Sequence, residues 1–180
     1  MNLFRYIIGA NYEIRVQMEN WRNKSIEYIN SIYKGDITQV QGTIFGNCIS
    51  KIVYLAEMAT TDAENFRGVI DINGQLQAGA IVEDYSGYLS IDTLVNAPWN
   101  VVKNQPETVR GAATSLVEEI VRESITLGYN GIVKALSLPQ AKVFYRKIGF
   151  HENENFENEM ELTPRLAQEF LAQQLIRKQQ

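Results

Sequence analysis

The middle of the chain constrains the fold most. Residues 68–72 and 76–84 are two apolar, strand-like runs on either side of Asn73-Gly74, a dipeptide whose tolerance of positive φ suits a tight hairpin turn. Ser86-Gly87 separates a third such run, 88–95. Three strands spaced this closely predict an antiparallel meander.

Helical periodicity brackets the meander. Upstream, Ile26, Ile29, Ile32 and Tyr33 recur at helical spacing and stop at Gly35, and Cys48, Ile52, Leu55, Ala56 and Ala59 do the same. Before both, Tyr12, Ile14, Val16 and Met18 alternate with Glu13, Arg15 and Gln17, which predicts a half-buried first strand. Downstream, Ala113, Leu116, Val117, Ile120, Val121 and Ser124 form one helical stripe, with Glu118 four residues ahead of Arg122 and Gly128 as a stop. Residues 132–136 read as a short buried strand. Ser137 and Gln140 fit a capping box opening a helix that ends at Gly149, with Pro139 tolerated in its first turn. Phe156, Met160 and Leu162 alternate with Glu157, Glu159 and Glu161 in a last strand, whose glutamates fall on the outer face. Thr163-Pro164 then opens a terminal helix over about residues 164–178, through Leu166, Phe170, Leu171 and Leu175. The order β-α-α-β-β-β-α-β-α-β-α predicts an α+β domain with a mixed sheet, a single domain over 1–180.

Composition removes several classes of function. Seventeen basic residues against twenty-one acidic ones leave a net charge of −4, which gives no general grip on a nucleic-acid backbone. A single cysteine, Cys48, closes no internal disulfide, and one histidine, His151, makes a dedicated zinc site unexpected, so no metal is expected. The apolar runs are too short for a membrane span, and Arg5 interrupts the stretch a signal peptide would keep apolar; the expected location is the cytoplasm. Charge is uneven along the chain. Residues 101–147 hold seven basic and four acidic side chains and could meet an anion, whereas 152–161 hold five glutamates and no Lys or Arg. That acidic run is either a solvated strand face or an attractant for a cation.

Two short segments carry chemistry. In 108–113, TVRGAA, the small residues Gly111 and Ala113 precede a helix whose first N–H groups have no internal partners. The turn either seats a phosphate or pyrophosphate, with Arg110 adding charge, or simply allows tight packing. In 141–150, AKVFYRKIGF, a core stripe of Ala141, Phe144 and Ile148 leaves Tyr145 at its edge, as an amphipathic edge residue or as a phenol entering a cleft.

Taken together and placed after the meander, these segments resemble the GNAT superfamily of acyl-CoA-dependent N-acyltransferases. The Gly and Gly/Ala positions of that family's acyl-CoA loop are matched by Gly111 and Ala113. Its later signature is matched by Ala141, Phe144-Tyr145 and Gly149-Phe150. The resemblance spans roughly residues 66–162, with the elements before it in the family's order. Three positions depart from it: Thr108 replaces the usual Gln or Arg, Leu138 stands where many members have Asn, and residues 98–106, PWNVVKNQP, lengthen the connection into the cofactor helix. With Trp99, Val101 and Val102 that connection either shapes a substrate or acyl pocket or is a packed surface loop.

The resemblance implies a mixed, mostly antiparallel sheet flanked by helices, with a cofactor cleft where the strands 88–95 and 132–136 splay apart. It implies acetyl-CoA or another acyl-CoA as co-substrate. Main-chain groups near Leu94, Val95 and Asn96 would hold the pantetheine arm, and Arg110, Gly111, Ala112, Ala113 and Thr114 would bind the pyrophosphate. Tyr145 matches the family's general acid, and Glu83, Asp84 or Asp92 is the carboxylate drawn on as base, with Asp92 and Glu83 favoured; each could equally be a solvated strand carboxylate. The implied activity is transfer of an acyl group, acetyl in the first instance, to the primary amine of a small molecule or peptide. Two alternatives stand beside it: a longer acyl chain passed to a Lys- or ornithine-type amine of a peptide, and a catalytically silent acyl-CoA-binding module. A homodimer is left open.

Overall fold

A computed structural model describes residues 3–137 and 139–179. Among them, seven strands form one sheet in the order β1-β2-β3-β4-β5-β7-β6. The strands are β1 (Arg5–Ile8), β2 (Phe66–Ile70), β3 (Leu76–Asp84), β4 (Leu89–Asn96), β5 (Val133–Leu136), β6 (His151–Glu152) and β7 (Glu159–Leu162). The β4–β5 pair is parallel and every other pair antiparallel. The helices are α1 (Tyr12–Ile32), α2 (Ile44–Thr61), α3 (Ala112–Thr126), α4 (Pro139–Lys147) and α5 (Pro164–Gln179). No helix among the described residues is long and apolar enough to cross a membrane.

The meander is in place, turned by Gly74 at φ +80° with the Asp71 carboxylate accepting from the Asn73 and Gln75 N–H groups. Two apolar layers sandwich the sheet. On one face α1 and α2 bury Met18, Trp21, Ile52 and Leu55 against Phe66, Leu76 and Ile81. On the other, α3, α4 and α5 bury Leu116, Ile120, Tyr145 and Phe170 against Ala80, Ile91, Val133 and Met160. A buried ion pair ties β1 and β2 to α3: Arg67 forks onto the Glu123 carboxylate at 2.7 and 2.8 Å, and the Tyr6 hydroxyl donates to Glu123 at 2.5 Å.

Three expectations about elements are corrected. Residues 12–18 are not a strand but the first two turns of α1, capped by the Asn11 side chain, which accepts from the Ile14 N–H. A step of four satisfies both periods, so Ile14 and Met18 fit either element; Tyr12 is 73% exposed, and the buried stripe continues through Trp21, Ser25 and Tyr28 at helical spacing. The first strand is instead the short edge strand β1, and the predicted 26–33 helix is the C-terminal half of α1. The last strand starts at Glu159, leaving Phe156 61% exposed in a turn, and the two-residue β6 pairs with it. Its glutamates are only partly an outer face, since Glu159 accepts from Lys134 at 3.0 Å and from Asn153.

Candidate active site

The β4–β5 ladder ends early. Leu89, Ser90 and Ile91 pair with Val133, Lys134 and Ala135, and β4 then runs on to Asn96 without β5 beside it. On its other edge β4 carries one residue too many: Val82 pairs with Ile91 and Ile81 with Thr93, so Asp92 is the extra residue of a β-bulge. The bulge shifts the alternation of the strand. Ile91 and Leu94, three apart, pack in the same layer, while Val95 packs in the opposite one.

Backbone polarity follows the same shift. The Ala97 N–H donates to the Gln77 carbonyl beside β3, so by alternation the N–H and C=O groups of Leu94 and Asn96 point away from β3, into the gap where β5 is missing. Two α2 side chains meet those carbonyls. Lys51 Nζ lies 3.4 Å from the Leu94 oxygen and Cys48 Sγ 3.6 Å from the Asn96 oxygen.

A cavity of about 410 Å3 fills the gap, with Leu94, Val95 and Asn96 on one wall, Cys48 and Lys51 of α2 above, and Ala113, Phe144 and Tyr145 opposite. Tyr145 is 4% exposed, its ring packed 5.2 Å from Phe144 and 5.0 Å from Phe150. It is therefore interior rather than at the edge of its helix, and Ala141 and Phe144 are the residues left half-buried toward the cavity. Among the described residues its hydroxyl has no hydrogen-bond partner, and burial pushes the phenol well above the usual tyrosine range. Burial also pushes the Cys48 thiol up to about 12 and holds Lys51 below the usual lysine range.

Of the loop at the start of α3, Ala113 lines this cavity, whereas Arg110, Gly111 and Thr114 line a separate one with Phe4, Glu118 and Lys178. Gly111 caps the helix in the left-handed region at φ +87°, and a Cβ built there would meet no heavy atom within 4 Å. The first bond of the helix runs from the Ser115 N–H to the Gly111 carbonyl, so the N–H groups of Ala112, Ala113 and Thr114 have no partner within it. Ala113 lines the cavity, Arg110 is exposed, and Ala112 sits in the core beneath.

The long connection into α3 resolves into two parts. Trp99 is a packing residue, 5% exposed, edge-on to Trp21 with centroids 6.2 Å apart and its Nε1–H donating to Gln77 at 2.9 Å. Thr108 uses its hydroxyl on the Trp99 carbonyl at 2.7 Å, and the Val109 N–H donates to Asn100 at 2.7 Å. Val101, by contrast, reaches the cavity wall. Leu138, the position of the expected Asn, lies outside the described residues.

The carboxylates are not gathered around Tyr145. Asp92 accepts from the Tyr54 hydroxyl of α2 at 2.8 Å, a bond that pushes the Tyr54 phenol up to about 12. Glu83 accepts from Tyr85 at 2.6 Å, and Asp84 from Tyr129 at 2.9 Å, and none of the three lines the cavity. Sequence reasoning missed the α2 wall; its one signal was the polar pair Asn47 and Lys51 beside the apolar stripe of Cys48 and Ile52.

No protein-family model and no curated protein sequence matches the chain. Solved structures do. The catalytic domain of Tetrahymena GCN5 histone acetyltransferase, solved in complex with coenzyme A, superposes with a TM-score of 0.54 at 11% identity, over 91% of this chain and 95% of that one. A second structure of Tetrahymena GCN5 gives 0.50 at 14% identity over 89% and 96%. A GNAT-family acetyltransferase from Listeria monocytogenes gives 0.46 at 10% identity over 88% and 92%. The likeness to GCN5 over nine-tenths of the chain shows that this chain has the GNAT fold.

Proposed function

We propose that residues 1–180 act as one acyl-CoA-dependent N-acyltransferase domain, which moves an acyl group, acetyl in the first instance, to a primary amine by direct attack in a ternary complex. The observation that carries this reading is the broken ladder: Leu94 and Asn96 turn unpaired N–H groups into a cavity that Ala113 and Tyr145 also line. A free strand edge suits an extended, amide-bearing chain such as pantetheine, which adds to it as a further strand would. The free N–H groups of Ala112, Ala113 and Thr114, with Arg110 beside them, suit a pyrophosphate, and the open space at Gly111 allows its close approach.

In this reading the N–H groups of β4 at the gap stabilise the negative charge that grows on the thioester oxygen as the amine attacks. Tyr145, kept protonated by burial, gives its proton to the departing sulfur. Asp92 is the better placed base. It stands at the bulge two residues from Leu94, whereas Glu83 pairs with Ser90, about 7 Å further along the strand at about 3.3 Å per residue. Asp92 therefore takes the acceptor's proton, directly or through water.

A second reading of the donor rests on the cavity wall. Ile44, Val101, Val143 and Phe144 make it largely apolar, which favours a longer acyl chain over acetyl. One experiment tests all of this: thiol release from a series of acyl-CoAs, acetyl upward, against pooled amines and peptides. Release with any pair supports the enzyme, and the best chain length chooses the donor. Tight acyl-CoA binding without release for any pair would leave a silent binding module.

A further inference from the structure

Lys51 is a nucleophile on the cavity wall that the mechanism above does not use. It stands on α2 one turn from Cys48, its Nζ 3.4 Å from the Leu94 carbonyl on the gap edge of β4. Lys24, Lys134, Lys142 and Lys178 each face a carboxylate. Among the described residues Lys51 has none. Burial without a counter-charge disfavours the ammonium, so a larger share of this amine is neutral at neutral pH than of an exposed lysine. The neighbouring Cys48 thiol stays protonated and supplies no charge.

Resting on the acyltransferase reading, we propose that Lys51 is an internal acyl acceptor, so that the chain acylates itself at this lysine when no external amine occupies the cavity. The neutral Nζ attacks the thioester carbonyl carbon. A C–N bond forms, the C–S bond breaks, and the proton lost from nitrogen ends on the departing sulfur. The products are an Nε-acyl-lysine and free coenzyme A thiol, with no other reactant. An amine held on the wall of the cavity that receives the thioester reacts within one molecule and needs no encounter with a second. The attached acyl group then fills volume that the next thioester requires, so the modified chain is a slower enzyme.

The control is already in the molecule. Lys147 lines the rim of the same cavity from α4 but is exposed, and Lys103 is exposed away from it. The 180-residue chain, with Lys51 verified as unmodified by mass, is incubated with acetyl-CoA and no amine. Intact mass and peptide mapping follow the label, and calorimetry measures acetyl-CoA binding on the same sample. The expected result is one acetyl group per chain, on Lys51, appearing at least ~10-fold faster than on Lys103 because the reaction is intramolecular. Lys51→Arg should bind acetyl-CoA and stay unlabelled. Binding without label on Lys51, or label on Lys147 or Lys103 as fast as on Lys51, overturns self-acylation and leaves the acyltransferase reading intact. Failure to bind acetyl-CoA and every longer acyl-CoA of the series overturns both.

Discussion

The Tyr54 hydroxyl donates a 2.8 Å hydrogen bond to Asp92 and so ties α2 to the bulge at which β4 leaves β5. One contact thus fixes both the proposed base and the helix that forms the far wall of the cavity. A base and a docking contact differ in what substitution does. Asp92→Asn, which keeps a hydrogen-bond partner for Tyr54, should lower kcat by ~10²-fold as expected for loss of a general base. Tyr54→Phe should cost about 1 kcal/mol of stability or less and change kcat little. Equal kcat losses in the two variants would show that the pair acts by docking α2 alone.

Gly111 adopts φ +87° in open space, so its Cα conformation and not crowding resists a side chain. Gly111→Ala should cost roughly 1–2 kcal/mol from the left-handed backbone alone. Gly111→Leu adds bulk where the pyrophosphate approaches and should abolish acyl-CoA binding in a chain that still melts cooperatively. Unchanged affinity in calorimetry of the leucine variant would remove this turn from the cofactor site.

Tyr145→Phe keeps the packed ring and removes only the hydroxyl. Stability and acyl-CoA affinity should hold while kcat falls by ~10²-fold. Tyr145→Ala should cost ~3–5 kcal/mol, the range for emptying a buried aromatic site. Because the folded-state pKa lies above the unfolded value of about 10, the tyrosine's contribution to stability is intact below about pH 10 and is lost as pH rises through the folded-state value. The same shift means that ionisation of Tyr145 produces no fall in rate below about pH 10. Wild-type turnover by Tyr145→Phe would refute its catalytic role.

Gln77, fully buried, accepts from both Trp99 Nε1 and Asn100 Nδ2 at 2.9 Å and pins the connection that carries Val101 to the cavity. Gln77→Leu strands the buried Trp99 indole donor, while Asn100 Nδ2 keeps the main-chain carbonyl of residue 77. It should destabilise the fold by about 1–3 kcal/mol, the range for one unsatisfied buried group, and red-shift Trp99 fluorescence as the loop loosens. An unchanged melting temperature would show that the loop is held by Trp99–Trp21 packing instead.

How far the sequence could be read follows from the range of each interaction. The Asn73-Gly74 hairpin and the α3 stripe were legible, because a turn residue's φ and a 3.6-residue apolar period are local properties. The 12–18 segment was misread because Ile14 and Met18, four apart, satisfy a strand and a helix alike. What settled it was the Asn11 cap and the reach of the stripe to Tyr28. Tyr145 was identified by its motif, yet its place inside rather than at the edge of α4 depends on Phe150, five residues on, folding back over the ring.

The sequence by itself determined the element order over most of the chain, the small-residue turn at Gly111 and the resemblance that singled out Leu94, Asn96 and Tyr145. The tertiary structure alone decided the bulge at Asp92, the end of the β4–β5 ladder and the arrival of Cys48 and Lys51 over the gap. The reason is physical. A bulge is a mismatch between two strands, visible only when Ile81 and Val82 are seen opposite Thr93 and Ile91. Which face of α2 meets the gap is set by packing between residues some forty apart, which no local period records.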